Sequence, residues 1–436
     1  MTNENILFTT AIDLTKHPML DKKIDLKIKY YTVLNYFVKS QLDNQYTIPT
    51  LKEYKEKLLG NYFTLREESK IEKSITKIIS SRFQPWKNKY RYWMISDIAL
   101  ILMNDELTNN AVKEMKTYLS KKQQVEFEVF FDNLTNKDIQ RVIKGNWDNE
   151  MAIQYKKNKE FINHKIDKYI VTATISAGKS TLINALIGKP LTKTSQEICT
   201  NNTCYLYNKP YEDGKVRLEN ESFSDNITFK ELKNISWESE TRIASNFIGI
   251  NKIYNRICII DTPGVNSAIN SMHRRISQKV LKEDTYKRVI YVINACKIAT
   301  DEDFTHLKWI LDNVENHKVI FVLNKLDSFN SKYDNILESI EGIKKDLISI
   351  GYENPIICPI SANFAVLIKM KANGDKLSED ENDEYIFYSK KFKKTEYDLS
   401  KYYEGVDDKE DDSEIISLSK KCGLYGLEKT LFGGNK

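Results

Sequence analysis

The sequence lacks a long hydrophobic run, and from its first residues we expect no secretory leader. No stretch approaches the roughly 18 uncharged apolar residues of a membrane-spanning helix, and the N-terminus has no basic region followed by an apolar one. The longest apolar stretch, Tyr92 to Met103, contains Asp97 and has the length of a buried helix. We therefore expect a cytoplasmic protein, either free or bound peripherally to a membrane.

Closely spaced cysteine pairs are also absent. The six cysteines are scattered, without any Cys-x-x-Cys pair, at Cys199, Cys204, Cys258, Cys296, Cys358 and Cys422. This spacing predicts reduced thiols in the core or in loops.

A strong excess of one charge is missing as well. The formal net charge is only +5 over 436 residues, so charge does not indicate a nucleic-acid partner. With 41% apolar and 29% charged residues, the composition is typical of a globular protein and excludes wholesale disorder. The length exceeds what one core usually organises, and we predict two domains.

The first of these domains should be helical. Glycine and proline are rare before residue 160, and apolar residues recur at helical spacing, as in Leu26, Tyr31, Leu34 and Val38. The pattern predicts an all-α N-terminal domain over residues 1–164.

Within this domain, Trp93 to Phe131 should form a helical hairpin around the acidic turn Asn104-Asp105-Glu106. Acidic residues at a helix start are usually capping residues, and a metal site is the alternative.

After residue 165, short β-rich runs alternate with amphipathic helices. This alternation is typical of an α/β fold with a mostly parallel central sheet, which we predict for residues 165–436. The segment 374–413 is charge-dense and lacks a sustained core pattern, so we expect a charged, mobile insertion there. Cys422 to Phe432 should form a last helix on the sheet. The predicted strands are Tyr169–Ala173, Arg256–Ile260, Arg288–Ile293, Lys318–Leu323 and Pro355–Cys358.

The first strand leads into a phosphate-binding loop. The run Tyr169 to Gly188 contains Ala173-x4-Gly178-Lys179-Ser180, in which small residues let main-chain amides converge on a phosphate at the start of a helix. Lys179 can reach the β- and γ-phosphates, and Ser180 can ligate Mg²⁺. Ala173 replaces the usual glycine, which is tolerated only where the backbone avoids positive φ. The predicted phosphate-binding residues are Ser176, Ala177, Gly178, Lys179, Ser180 and Thr181.

Three further elements follow in a fixed order. Asp261-Thr-Pro-Gly264 ends an apolar strand, where the carboxylate can hold the magnesium through water and the glycine amide can sense the γ-phosphate. Asn324-Lys325-Leu-Asp327 ends another, and the Asp327 carboxylate can accept both the N1 and the N2 hydrogens of guanine, a pair that adenine does not offer. Ser361-Ala362 follows a third strand and places a main-chain amide where it could bind the guanine O6.

The order and spacing of these elements resemble the translation-factor-related P-loop GTPases. The loop Ser176 to Ser180 and the following Thr-Leu-Ile-Asn-Ala-Leu-Ile-Gly resemble the dynamin superfamily, including its bacterial members, over about residues 165–370 and the terminal helix. The resemblance implies GTP binding and Mg²⁺-dependent hydrolysis to GDP and phosphate. It also implies a switch I threonine that caps the magnesium; Thr200 is the best match, and Thr203 is the alternative.

The same resemblance implies how hydrolysis would be activated. Ser176 would help to hold a K⁺ or Na⁺ ion, and two G domains would meet across their nucleotides as a homodimer or a hetero-assembly. The predicted catalytic residues are thus Ser176, Lys179, Thr200 and Gly264. Ile175 replaces the polar residue that orients water in many dynamins, which points either to slow chemistry or to another group that positions the water. Val265-Asn266 follows Gly264 where Ras-like enzymes have a glutamine, and dynamin-like GTPases also tolerate an apolar residue at the first of these positions.

Two further features leave alternatives open. His273, Arg274 and Arg275 follow the Asp261 element and either donate charge to the reaction or form a solvated helix face. The helical domain precedes the G domain and would act as a short stalk or a docking module. The alternative functions are a slow, GTP-dependent switch that binds a protein partner and an Era-like GTPase associated with ribosomes or RNA.

Overall fold

The computed structural model describes residues 3–60, 71–80, 89–135, 149–174, 176–192, 202–235, 239–249, 256–264, 271–283, 285–296, 301–407 and 413–433. The chain forms two compact units. The first comprises residues 1–165, 209–217 and 223–226, and the second comprises residues 166–208, 218–222 and 227–436.

The first unit is helical. A π-helical turn at Thr76–Ser80 continues its fourth helix. In chain order, the helices are α1 (Asn3–Thr9), α2 (Ile24–Gln41), α3 (Thr47–Leu59), α4 (Ile71–Ile75), α5 (Lys89–Leu102), α6 (Asp105–Thr117), α7 (Lys121–Thr135) and α8 (Glu150–Asn163).

Helix α5 lies at the centre of this unit. Its residues are buried from Tyr90 to Leu102, which confirms the buried helix predicted from the apolar run. The hairpin prediction was incomplete, because a second turn at residues 118–120 separates α6 from α7 and makes three helices. The acidic turn is a cap: Oδ1 of Asn104 accepts a hydrogen bond from the Leu107 amide at 3.0 Å. In the described part of the chain, no group of three or more His, Cys, Asp or Glu side chains is placed to hold a metal ion.

A buried carboxylate organises the core of the first unit. Asp97 accepts hydrogen bonds from Tyr30 at 2.5 Å and from Tyr54 at 3.0 Å. The His17 ring lies 3.0 Å from the same carboxylate through Nε2, while its Nδ1 accepts from the Met19 amide. Because Nδ1 is an acceptor, Nε2 carries the proton that is donated to Asp97. These donors offset the cost of burying the carboxylate.

Residues 209–217 and 223–226 contribute an ion-pair cluster to the first unit. Arg217 donates to the main-chain carbonyls of Leu7 and Thr10, each at 2.7 Å, and to Oδ1 of Asp225 at 2.7 Å. Lys215 lies 3.0 Å from the same Asp225 carboxylate. These residues are therefore held to the first helix by charge-assisted hydrogen bonds.

The second unit is built on a mostly parallel sheet. Its longer strands lie in the order β5-β2-β6-β1-β7-β8-β9, and β2 runs antiparallel to β6 while the other neighbouring pairs are parallel. The predicted α/β fold and all five predicted strands are confirmed. The strands of the chain are β1 (Asp167–Ala173), β2 (Cys204–Asn208), β3 (Arg217–Glu219), β4 (Phe223–Ser224), β5 (Thr241–Ser245), β6 (Ile257–Asp261), β7 (Arg288–Asn294), β8 (Val319–Asn324) and β9 (Ile356–Pro359), of which β4 and the first residue of β3 are among the residues of the first unit.

Helices connect these strands and cover the sheet. The last helix packs on β1, since Tyr169 donates to the Leu431 carbonyl at 2.8 Å and its ring meets Phe432, which confirms the predicted terminal helix. The helices are α9 (Lys179–Ile187), α10 (Phe229–Asn234), α11 (Ser271–Glu283), α12 (Asp301–Asn313), α13 (Ile336–Ile350), α14 (Ala362–Asn373), α15 (Glu379–Phe392), α16 (Glu414–Lys421) and α17 (Leu424–Phe432).

The charged segment after α14 differs from the expectation. Residues 374–407 contain α15 and two 3-10 turns, and the side chains of Phe392 and Leu399 are fully buried. The expectation of a segment without a core pattern was therefore wrong for these residues, and residues 408–412 lie outside the described ranges. The apolar pattern is weak in sequence because Tyr397, Leu399 and Tyr403 lie in or beside short 3-10 turns after α15 and do not have the spacing of a long helix.

Two expectations from composition can be checked directly. Every helix in the described ranges is too short or too polar to cross a membrane. Five cysteines occur as free thiols, of which Cys296 is exposed and the others are buried, as predicted. Cys199 lies outside the described residues.

Candidate nucleotide-binding site

The phosphate-binding loop lies between β1 and α9. Ala173 avoids positive φ, as its substitution for glycine requires, whereas Ser176 has φ +64° and Gly178 has φ +86°. A Cβ atom on Gly178 would lie 2.4 Å from Nδ2 of Asn324, so the close approach requires glycine. Ala177 is buried, and the first main-chain amides of α9 face the loop as a positive helix end.

A buried ion pair joins this loop to the neighbouring strand β6. Nζ of Lys179 pairs with Oδ1 of Asp261, and the two side chains are 10% and 0% exposed. The other oxygen, Oδ2, is buried without a hydrogen-bond partner among the described residues. Burial raises the pKa of Asp261, and the nearby Lys179 charge opposes that rise. An ionised Asp261 would therefore be favoured by a second cation.

The oxygen donors at this point suit a magnesium ion. Asp261 pairs in register with Val171 of β1, the strand that leads to the loop, and Ser180 lies half-buried in the first turn of α9. Carboxylate and hydroxyl oxygens are ligands that Mg²⁺ shares with nucleotide phosphates. Thr181, the next residue, is also half-buried.

The predicted switch I threonines are only partly visible. Thr200 lies outside the described residues. Thr203 is 4% exposed and immediately precedes β2, whose Cys204 pairs in register with Asp261. That Thr200, or alternatively Thr203, reaches the metal ion remains a prediction.

The guanine-binding elements come together at the carboxyl ends of β8 and β9. The Asn324 side chain donates from Nδ2 to the Ala177 carbonyl at 3.0 Å and accepts from the Ala362 amide at 3.0 Å. Ser361 donates to Oδ1 of Asp327 at 2.7 Å, which fixes one edge of that carboxylate. The Ala362 amide is thus hydrogen-bonded to Asn324, and the contact of a main-chain amide of Ser361-Ala362 with the guanine O6 stays a prediction.

Lys325 has an unusual backbone and a covering side chain. Its φ of +71° is rare for a residue with a side chain, and the 3-10 turn Leu326–Ser328 follows directly. Its Cε lies 3.8 Å from the position of a Cβ on Gly178, so its aliphatic stem covers the phosphate-binding loop.

Sequence reasoning missed Asn294. This residue ends β7, pairs in register with Asn324, and donates from Nδ2 to the Ser176 carbonyl at 3.3 Å. A polar residue directly after a buried parallel strand was the available signal, because the carboxyl ends of such strands share one edge of the sheet.

The element after Asp261 is held at its start. Thr262 donates to the Val171 carbonyl, and Ser277 of α11 donates to the Pro263 carbonyl, both at 2.9 Å. Gly264 follows and is half-buried. Ile175, Val265 and Asn266 lie outside the described residues.

The basic group on α11 is divided between the core and the surface. His273 is buried, and burial lowers its pKa, so it is a poor source of positive charge. Arg274 and Arg275 are exposed. Their placement agrees with a solvated helix face, and a catalytic role remains untested.

Comparisons with known proteins agree with this site. Residues 170–326 match the Dynamin family. A probable transmembrane GTPase, FZO-like and chloroplastic, from Arabidopsis thaliana is 26% identical over 202 residues, 46% of this chain. An uncharacterised protein in the xynA 3′ region of Caldicellulosiruptor sp. strain Rt8B.4 is 27% identical over 270 residues, 58% of this chain. The matches span 20% and 64% of those two proteins.

Solved structures show a more distant similarity. A chain from an oligomerised bacterial dynamin pair is 18% identical, with a TM-score of 0.37, over 87% of this chain and 57% of that one. An Era variant from Aquifex aeolicus is 21% identical, with a TM-score of 0.28, over 49% of this chain and 58% of that one. Both TM-scores are too low to support a functional conclusion.

The family match coincides with the elements that carry the site. It begins within β1 and ends at Leu326, so it includes the loop around Lys179, Asp261 and Asn324. Over residues 170–326 the chain is therefore similar to the Dynamin family.

Proposed function

We propose that this chain binds GTP together with Mg²⁺ and hydrolyses it to GDP and phosphate. The observation that carries the proposal is the buried Lys179–Asp261 pair, with Oδ2 of Asp261 unpartnered among the described residues and Ser180 at the adjoining helix start. A lysine, an unpartnered carboxylate oxygen and a hydroxyl at a helix N-terminus are the groups that bind a nucleotide phosphate and its metal ion.

The chain's own residues have separate tasks in this proposal. Lys179 leaves Asp261 for the β- and γ-phosphate oxygens, while the amides at the start of α9 bind the β-phosphate. Ser180, one of the predicted threonines and, through water, Asp261 would hold Mg²⁺, which would neutralise phosphate charge during transfer. The Gly264 amide senses the γ-phosphate.

Selectivity for guanine follows from Asp327. With Oδ1 fixed by Ser361, the carboxylate accepts the N1 and N2 hydrogens of guanine. Adenine has no corresponding pair of donors, so the half-buried Asp327 carboxylate gains no such pair of hydrogen bonds from it.

Assembly through the G domains completes the proposed reaction. Ser176 is exposed, has positive φ and has its carbonyl held by Asn294, so it is accessible to a K⁺ or Na⁺ ion. A dimer across the nucleotides encloses that ion and adds the positive charge that hydrolysis needs. The partner is a second copy or a companion GTPase, and the membrane-associated relative motivates a test with lipid.

A slow GTP-dependent switch is the second candidate. The sequence favours it because Ile175 and Val265 are apolar at positions where water-orienting groups often lie. In this case the helical unit binds a protein partner in the GTP state, and turnover does not depend on protein concentration.

The test is GTP turnover with Mg²⁺ at two protein concentrations, in K⁺, in Na⁺ or in neither. Lys179→Ala should abolish turnover, while Lys308→Ala, a change on the exposed surface of α12, should leave it intact. Specific activity that rises with protein concentration and with a monovalent cation supports assembly-activated hydrolysis. Tight GDP binding with slow, concentration-independent turnover supports the switch.

Co-sedimentation tests whether the protein associates with membranes or with ribosomes. Binding to liposomes supports a peripheral membrane role, whereas binding to ribosomal subunits supports the Era-like alternative. Absence of guanine-nucleotide binding by the folded chain would overturn the proposal as a whole.

A further inference from the structure

The segment after α14 contacts the loop that carries Asp327. Lys391, near the end of α15, donates from Nζ to the main-chain carbonyls of Asp327 at 2.6 Å and Phe329 at 2.5 Å. The Tyr397 hydroxyl accepts from the Ser331 amide at 2.7 Å. The turn that presents Asp327 is therefore tied to residues more than 60 positions later in the chain.

The Lys391 ammonium has a fixed environment. It lies 4.5 Å from the centre of the Tyr397 ring, within cation–π range. Two carbonyl dipoles and a ring face together replace much of its hydration, and hydrogen bonds from a charged donor are stronger than neutral ones. Lys391 thus joins the two carbonyls at the end of the 3-10 turn.

The helix that carries Lys391 is itself anchored beside the base-binding elements. Phe392 is fully buried and stacks on Phe364 of α14 at a ring distance of 5.4 Å. Helix α14 begins directly after Ser361, the residue that donates to the Asp327 side chain. One packed body therefore holds Asp327 twice, through the carboxylate by Ser361 and through the main chain by Lys391.

The contacts that hold Asp327 in place affect how well it can bind guanine. A carboxylate that accepts two parallel hydrogen bonds from a planar base must hold its position closely, and small displacements weaken binding. The turn Leu326–Ser328 begins at Lys325 with positive φ, a conformation that surrounding contacts must hold.

We propose that Lys391 is a positioning residue for guanine recognition, which braces the Asp327 turn so that its carboxylate meets both guanine donors. The inference rests on the proposed binding of guanine nucleotides. It assigns the charged segment 374–407 a role in nucleotide specificity.

The test compares the full-length chain with Lys391→Met, which keeps most of the side-chain length and removes the donor. Dissociation constants are measured for GDP and for inosine diphosphate, which lacks the guanine N2 amino group. In Lys391→Met, we expect GDP affinity to fall about tenfold, the effect of losing roughly 1.4 kcal/mol. Inosine diphosphate affinity should fall less, so that the preference for GDP shrinks.

Matched variants separate positioning from general stability. Lys391→Arg keeps the charged donors and should restore the preference for GDP. Lys390→Met changes the exposed neighbour in the same helix and should leave both affinities unchanged. Tyr397→Phe keeps the ring and removes the hydroxyl bonded to Ser331, and it should show a smaller shift in the same direction. Circular dichroism checks that each variant is folded.

The outcomes distinguish the two proposals. If the unmodified chain binds GDP but Lys391→Met keeps the same preference for GDP, the positioning role is wrong while the proposed function stands. If Lys391→Met loses the same affinity for both nucleotides, Lys391 is only a structural contact. The same conclusion holds if Lys391→Met does not fold and Tyr397→Phe keeps an unchanged preference for GDP. If the unmodified, folded chain does not bind GDP, both proposals fail.

Discussion

The Asn324 side-chain amide bridges Ala177 in the phosphate-binding loop and Ala362 at the start of α14, with both hydrogen bonds at 3.0 Å. Asn324 is 2% exposed, so no bulk water replaces either bond when the side chain is removed. One residue thereby links the predicted phosphate-binding loop to the predicted base-binding element.

Asn324→Ala should weaken both stability and nucleotide binding. It leaves a buried carbonyl and a buried amide without partners, and such groups cost about 1–3 kcal/mol. We expect the free energy of unfolding in urea to fall by about 2 kcal/mol and GDP affinity to fall at least about tenfold. Asn313→Ala, which removes an exposed bond to the Trp309 carbonyl, is the matched control. Equal effects of the two changes would contradict the bridging role.

Gly178→Ala should disturb the same bridge from the other side. The new Cβ would lie 2.4 Å from Nδ2 of Asn324, and φ of +86° strains any residue with a side chain. The strain alone is worth about 1–2 kcal/mol, and GDP titration should show a large loss of affinity. Gly342→Ala in α13 is the control, since its Cβ meets nothing within 4 Å. We expect Gly342→Ala to raise the free energy of unfolding by about 0.5–1 kcal/mol.

The sequence reveals this site because its chemistry is local. Asp261 and Asn324 end buried strands and Lys179 follows one closely, and a parallel sheet brings the carboxyl ends of its strands to one edge. The spacing of the apolar residues therefore predicts the strands. It also predicts that the polar residues at the strands' carboxyl ends lie close together. The same reasoning extends to Asn294, which was overlooked.

The brace on Asp327 could not be predicted in this way. Lys391 acts through main-chain carbonyls, which every residue has, and its segment contains other lysines with the same local surroundings in sequence. The strands β2 and β5 escaped for a related reason. They are short and their burial depends on neighbours far along the chain, so their pattern is weak.

The ion-pair cluster of the first unit predicts a pH dependence. Burial raises the pKa of Asp225, but the Arg217 and Lys215 charges outweigh burial and hold that pKa well below its usual range. A depressed carboxyl pKa stabilises the folded state above the unfolded-state value, near about 4, and this contribution is lost as the pH falls further. Asp225→Asn should therefore lower the free energy of unfolding at pH 7 by about 3 kcal/mol.

The difference between Asp225→Asn and the unmodified chain should shrink at about pH 3, where the unfolded carboxyl takes up its proton. Urea unfolding at both pH values measures it. Glu240→Gln removes a 51% exposed partner of Arg242 and should change stability by less than about 1 kcal/mol. A difference for Asp225→Asn that is independent of pH would show that packing, and not charge, explains its effect.

His306 predicts a second loss of stability in mild acid. Burial, with a smaller effect of the Arg274 charge, lowers its pKa to about 4, and Asp303 only partly opposes the shift. The unfolded chain takes up a proton near pH 6.5 whereas the folded chain does so near pH 4, so stability falls as the pH drops through that interval. The free energy of unfolding should therefore fall by about 2 kcal/mol between pH 7 and pH 5.

His306→Gln should remove this pH-dependent part, and urea unfolding at pH 7 and pH 5 measures it. The 72% exposed His317 provides the control, since His317→Gln should leave the loss in place. His306 Nε2 lies 3.2 Å from the Thr172 hydroxyl in β1, just before the phosphate-binding loop. Equal pH dependence of the free energy of unfolding in the unmodified chain and in His306→Gln would exclude His306 as the group responsible.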